Sequence, residues 1–424
     1  MTGRELLRTE VLIVGGGPVG LTGSALLSRA GMENVVVERR PDTIRAPAAH
    51  VLRPRTLEVF DRLGVGDEVR AAVPLRDLDY ITWCATLGGT EVGRLDTRSD
   101  RLDWTNCPQN LLEPILLRRA ERAAESLVLR GAEWTGLEQG PAALRARVRL
   151  DDGTERTIEA SWMIAADGAG SPVRRHLGIP MEGPGPQARF FMVHFEADLR
   201  PFLEGRSGPL FWILNPAAPG TLIVHDPARS IVFMTPCFGT EGEAETVPAR
   251  LAAALAVDVE PRILSVDTWA MHVQVARRYR EGRVFLAGDA AHRFPPSGGL
   301  GLNTGVADVD VLVDRLARAH TPGADLACLD SYERECRPCA RTNATESFEN
   351  LKRLGEISRV IGPCADLAAL EARLAALAPA ELERLGEAIE HQRSHFASNG
   401  RLPANPHPAS AGSARPPVPV RAAT

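Results

Sequence analysis

Apolar residues form short unbroken runs at three places along the chain, and each run ends in glycine, alone or paired with aspartate. Val11, Leu12, Ile13 and Val14 lead into Gly15; Ile164, Ala165 and Ala166 lead into Asp167 and Gly168; Val284, Phe285, Leu286 and Ala287 lead into Gly288 and Asp289. Unbroken runs of this length suit strands buried on both faces of a parallel sheet. A helical stretch at 21–30, closed by Gly31, follows the first run. A second β-rich run at 34–37 ends at Glu38, so the N-terminal part predicts a βαβ unit.

Other periodicities fill in the rest. Residues 110–124 have helical spacing, with Pro114 near the first turn, where proline is tolerated. Alternation at 143–150 and 154–164 around Asp151, Asp152 and Gly153 predicts a hairpin. Short strand-like runs at 190–195, 210–214, 221–224 and 231–234, broken by turn residues, predict an antiparallel sheet in its own lobe, joined by 80–86 and closed by a helix at 243–256. Helical patterns cover 302–319, 324–362 and 366–393, and the Pro-, Ala- and Arg-rich residues beyond 400 predict a disordered tail. The expected fold class is α/β, with a Rossmann-like nucleotide-binding domain on a parallel sheet, an antiparallel-sheet domain and C-terminal helices.

Composition narrows the classes. The chain has 424 residues with 44% hydrophobic and 24% charged content, ordinary for a globular protein of two or three domains. Its 49 basic and 54 acidic residues give a net charge of −5, so no basic field points to nucleic acid or an acidic membrane. No apolar run approaches the roughly 20 residues of a bilayer span, and the first residues are polar, which predicts a cytoplasmic protein without a membrane partner, as monomer or homodimer. Seven scattered cysteines suggest reduced thiols. Cys336 and Cys339 have half of a zinc-site spacing but no second pair, so they read as an incidental feature of a helix surface, and no metal is expected. Lys352 is the only lysine and lies near no motif, which argues against Schiff-base chemistry.

Gly15, Gly17 and Gly20, with Pro18 and Val19 between them, form the G-x-G-x-x-G turn between a strand and a helix that admits a dinucleotide pyrophosphate. Glu38, next to Arg39, is spaced to accept from a ribose 2′-hydroxyl, which favours FAD or NAD over a 2′-phosphorylated nucleotide. A Gly-rich turn that only packs a helix on a strand is the competing interpretation.

Together with Asp167-Gly168-Ala169-Gly170-Ser171, Gly288-Asp289-Ala290-Ala291-His292 and the segment Cys107-Pro108-Gln109-Asn110-Leu111-Leu112-Glu113, this fingerprint resembles the FAD-dependent aromatic hydroxylases, single-component flavoprotein monooxygenases that include para-hydroxybenzoate and phenol hydroxylases. The resemblance covers about residues 8–396. It implies FAD as cofactor, NADPH or NADH as a transient electron donor, and molecular oxygen, with a flavin hydroperoxide transferring oxygen to an aromatic ring. By the same match Asp289 would bond the ribityl chain, Asp167 and Gly168 would serve FAD and nicotinamide, Gln109 the flavin and Arg45 the pyrophosphate. Pro296, Gly299, Gly301, Leu302 and Asn303 would lie against the isoalloxazine. The implied division is an FAD domain at 1–79, 100–185 and 270–330, a substrate-binding sheet at 80–99 and 186–269, helices at 331–399 and a tail at 400–424.

Polar residues of the sheet strands are the candidates for activating a phenol: His225 and Tyr80, with His194 beside Trp212 and Met234 as pocket lining, and Pro296 near the flavin. Core packing is the competing role for each. After Gly305 the family's amide- and aromatic-bearing helix is replaced by Val306-Ala307-Asp308-Val309-Asp310-Val311-Leu312-Val313-Asp314. Epoxidation, Baeyer–Villiger insertion and a catalytically silent FAD- or ligand-binding role stay open. A halogenase would need a lysine and a Trp-x-Trp pair that the motifs lack.

Overall fold

The structure, a computed structural model, describes residues 6–75, 79–97, 104–206, 208–321 and 323–407. The apolar runs form the centre of a sheet in which Val284–Leu286, Glu155–Ala165, Leu6–Val14, Asn34–Glu38 and Ser126–Arg130 lie side by side and parallel. Leu12 pairs with both Val35 and Met163, and Val11, Leu12 and Ile13 are closed off from solvent on both faces. Helices Pro18–Arg29, Gln109–Glu121 and Leu300–His320 pack together beside it. The predicted hairpin is present as Leu144–Leu150 against Glu155–Ala165, and Ala132–Gln139 adds a further strand.

A second sheet of seven strands runs in the order Arg262–Met271, Ala188–Glu196, Ser230–Pro236, Gly220–Asp226, Leu210–Ile213, Tyr80–Cys84 and Glu91–Asp96. Strand alternation gives it two different faces. Phe191, Phe211, Leu222 and Phe233 pack on helix Val247–Leu255, whereas Ile81, Trp83 and Leu95 meet Ile357, Leu385 and Ile389 of the C-terminal helices.

Three sequence expectations need correcting here. The helical pattern at 366–393 breaks into Leu367–Ala375 and Pro379–His391, because the residue before a proline is pushed out of helical geometry. Cys336 and Cys339 are buried within helix Asp330–Ile361 rather than lying on its surface. The expected tail begins as fastened chain: Arg401 N–H donates to Asn343 Oδ1 at 2.6 Å, and Asn343 Nδ2 returns a bond to the Arg401 carbonyl at 2.9 Å. The rest of that expectation, 408–424, lies outside the described residues. No described helix is long and apolar enough to cross a membrane.

Candidate active site

The C-terminal ends of the parallel strands open on a cleft of about 370 Å³. Its floor is the first strand–helix turn. Gly15 adopts φ +110°, and a Cβ there would lie 2.2 Å from the Ala166 carbonyl oxygen. At Gly20 a Cβ would lie 1.9 Å from the Gly15 carbonyl oxygen, so only hydrogen fits between helix and turn. Gly17 differs: nothing lies within 4 Å of a Cβ built on it, and the residue lines the cleft at the start of helix Pro18–Arg29, where unpaired N–H groups face an incoming anion.

Glu38 lines the cleft but is already engaged. Its Oε2 accepts from Gly16 N–H at 2.7 Å, and its Oε1 accepts from the Arg40 backbone and Nε at 2.9 and 3.0 Å. Gln109 donates to buried Glu113 at 2.6 Å, and Glu113 also anchors the loop through Ile44 N–H at 2.9 Å. Asp167 Oδ2 caps helix Pro172–His176 by accepting from Val173 N–H at 3.0 Å, whereas its buried Oδ1 has no partner. Burial holds this carboxyl above its ordinary range, with Ser171 pulling the other way. Asp289 is open to the cleft yet crowded by protein on its other sides. That enclosure raises it as well, against the opposing pull of His292 and Arg293.

Behind this turn, Asp308 Oδ2 accepts from Gly288 N–H at 3.1 Å and lies 2.8 Å from His292 Nε2. The altered helix after Gly305 therefore supports the Gly-Asp turn from behind. Its next positions face away from the cleft: Val309 and Val311 join the core, and buried Asp310 binds Arg55 at 2.5 Å and also Arg62.

Gly15, Gly17, Pro18, Val19, Glu38, Arg39, Gln109, Asp167, Gly168, Asp289 and Leu302 thus line one cleft. Others among the sequence candidates do not. Gly20 and Gly288 pack behind it, and Gly301 lies outside its lining. The Asn303 side chain is spent inside the protein, accepting from Arg53 N–H and Thr56 and donating to the carbonyls of Val51 and Gly299. Arg45 lies on an exposed loop beside Asp42 at 3.6 Å, outside the cleft lining. Trp134 and Arg40 line the cleft without having been singled out from the sequence.

A model of an FAD binding domain matches residues 8–347. The chain is 34% identical over 361 residues to aklavinone 12-hydroxylase DnrF of Streptomyces peucetius, covering 80% of this chain and 73% of that protein. It is 32% identical over 382 residues to 2,4-dichlorophenol 6-monooxygenase of Cupriavidus pinatubonensis, covering 84% of this chain and 64% of that one. The crystal structure of the flavin-dependent monooxygenase PieE, with FAD and substrate, superposes with a TM-score of 0.85 at 31% identity, over 91% of this chain and 71% of that one. This chain belongs to the FAD-dependent aromatic hydroxylase family. It spans 64% of the length of the dichlorophenol monooxygenase that it matches. The family's FAD fits the cleft on two observations: the open space at Gly17 accommodates a pyrophosphate, and the unpartnered Asp167 Oδ1 awaits a hydroxyl donor.

In this family member the turn that leads into helix Leu300–His320 also walls a second cavity of about 260 Å³, lined by Pro296, Ser297, Gly298 and Gly299 on one side. Trp83, Phe190, Trp212 and Met234 of the seven-stranded sheet, which is mixed rather than purely antiparallel because Tyr80–Cys84 pairs parallel with Leu210–Ile213, form another wall, and His395 and Phe396 of the C-terminal helices a third.

Three polar candidates fall outside this cavity. Tyr80 starts its strand on the opposite parity from Ile81 and Trp83 and stacks under the Arg94 guanidinium at 4.9 Å. His194 shares the face of Phe190 but sits about 13 Å further along the strand, beside Ser230. His225 is likewise beyond Ile223, buried edge-on against His50 with ring centroids 5.0 Å apart. The histidines at the cavity are His50 and His395, together with Arg53 and Trp104, none of which was singled out from the sequence. His50 shares its residue type with the candidates but precedes the sheet, so strand patterning gave no signal for it.

Proposed function

We propose that this chain is an FAD-dependent monooxygenase that uses NADPH or NADH and molecular oxygen to hydroxylate a phenolic or polyketide-type aromatic molecule. The observation that carries this reading is adjacency: residues 296–299 line an apolar pocket of aromatic size, and Leu302, three residues further on, lines the nucleotide cleft. The aklavinone and dichlorophenol activities of the relatives support a phenolic ring. One atom of oxygen is inserted into a ring C–H bond to give C–OH. The other leaves as water, taking the two electrons of the nicotinamide hydride, its proton and one further proton.

Bound FAD supplies the electron transfer and the activation of oxygen. Gly17 and the first N–H groups of helix Pro18–Arg29 take the pyrophosphate, and Glu38 with Arg39 borders the ribose. Asp167 and Asp289 accept from hydroxyls, and Gln109 reaches the ring system. Trp83, Trp212, Met234 and Phe396 exclude water from the reacting ring. His50 is placed to accept a hydrogen bond from a ring hydroxyl. Asn106 Nδ2 donates to the Val224 carbonyl, so its Oδ1 accepts from His50 Nδ1 at 2.8 Å and leaves His50 Nε2 as the ring's acceptor.

The discontinuous FAD domain, the substrate sheet and the C-terminal helices are the working units of this proposal, and a cytoplasmic monomer or homodimer is its assembly. The test is NADPH oxidation by the FAD-loaded protein in air, with and without phenols and polycyclic aromatics, assaying peroxide and product mass. Ligand-stimulated oxidation with one added oxygen and little peroxide is expected. Oxidation that no aromatic stimulates would overturn the proposal.

A further inference from the structure

Arg53 is 3% exposed and is the one charged side chain among the described residues lining the apolar pocket. Its Nη1 donates to the Phe396 carbonyl at 2.8 Å and its Nη2 to the Gly298 carbonyl at 2.7 Å, while Nε has no partner. Carbonyl dipoles satisfy donors without neutralising charge. No described carboxylate lies within ion-pair distance of it; Glu346 acts only from further away. A buried cation without a counter-ion is costly, and proteins ordinarily pair such charges. Burial also brings this guanidinium down to about 10.

The other unsatisfied polar groups around the cavity point the same way. Trp104 Nε1, Trp212 Nε1, Ser297 Oγ and His395 Nδ1 are buried without partners, and an indole N–H only donates. The described lining contains no Asp, Glu or Tyr. It offers hydrogen-bond donors and one positive charge, the complement of a flat ring system carrying oxygens of which one is ionised.

We propose that Arg53 is the anion subsite of the pocket, and that the aromatic substrate docks with an ionised ring oxygen or ring carboxylate against its guanidinium. The proposal rests on the second cavity being the substrate site. It makes Arg53 a specificity determinant, selecting acidic phenols, enols and aromatic acids over neutral arenes of the same shape. The competing role is a strut that only ties Gly298 to Phe396.

The test is calorimetric binding to the FAD-loaded protein at pH 7.5 of two matched pairs, 2-naphthoate against 2-naphthamide and 2-hydroxy-1,4-naphthoquinone against its methyl ether. At least one anion should bind about tenfold or more tighter than its neutral partner, as a charge-assisted bond in a dry site implies. The pair that shows the preference tells carboxylate from ionised enol. Arg53→Met should bring the anion down to the neutral ligand's affinity without changing the latter, and Arg53→Lys should keep part of the preference. Equal binding within both pairs by the unaltered protein overturns the proposal, as does equal weakening of both members by Arg53→Met, the mark of a strut. If the Met variant does not fold, the unaltered protein's preference decides alone. Binding by no member of either pair overturns the substrate-site reading itself, whereas binding with a preference but no turnover leaves the subsite standing and overturns only the proposed reaction.

Discussion

The imidazole Nε2 of His292 lies 2.8 Å from Asp308 Oδ2, and both side chains are closed off from solvent. The same carboxylate oxygen holds the Gly288 N–H, so this pair fixes the turn that presents Asp289 to the cleft. Asp308→Asn keeps the shape but weakens charge-assisted bonds worth roughly 1.5–3 kcal/mol. It is expected to lower the midpoint of thermal unfolding and to weaken FAD binding about tenfold, read by flavin fluorescence titration. Unchanged affinity would show that the turn holds itself.

Gly17 and Gly20 separate cofactor contact from packing within one motif. Gly17 has φ −76° and free space around a built Cβ, so Gly17→Ala should fold with unchanged or slightly higher stability while losing FAD affinity. Gly20→Ala drives a methyl into the Gly15 carbonyl and should yield little soluble protein. Thermal unfolding of the FAD-free proteins beside FAD titration distinguishes the two; a Gly17→Ala variant that keeps full affinity would remove the cradle from the proposal.

Removing the proposed hydrogen-bond acceptor should act on turnover alone. His50→Ala is expected to lower kcat on phenolic substrates about tenfold, the loss of one hydrogen bond to the ring hydroxyl, with FAD content unchanged. His225→Ala should cost far less, since that ring lies behind His50. Equal losses in the two variants would argue for the histidine pair acting as a packing unit.

Burial brings His50 down to about 4 from an ordinary 6.5, and His395 to about 3. Between those values the unfolded chain binds protons that the folded chain refuses. The stability of the neutral rings is therefore complete above about pH 6.5 and is lost progressively as pH falls toward 4. Urea unfolding at pH 7.5 and 5.5 should show the loss, and His50→Gln should flatten it. A slope untouched by that substitution would assign the acid sensitivity elsewhere.

The sequence was most informative where chemistry and backbone geometry are the same thing. A strand running into Gly15 and a helix starting at Pro18 leave few conformations, and three such turns, far apart in sequence, meet at one cleft because the strands carrying them are parallel neighbours. The pocket was hidden for the opposite reason. Its lining depends on strand parity and on position along the strand, so Trp83 faces it and Tyr80 does not, while His194 has the right face at the wrong end. Arg53 precedes the sheet and His395 belongs to a helix with no motif. Only the folded chain brings them to the same wall.

The bond from Arg53 to the Phe396 carbonyl closes a loop of 343 residues. The cleft has all its walls once Leu302 is in place, but the pocket lacks one until the chain reaches Phe396. Along the chain, every residue lining the nucleotide site therefore precedes the last wall of the small-molecule site. The water-tightness of the chamber for the aromatic ring thus depends on a contact between residues near opposite ends of the described chain.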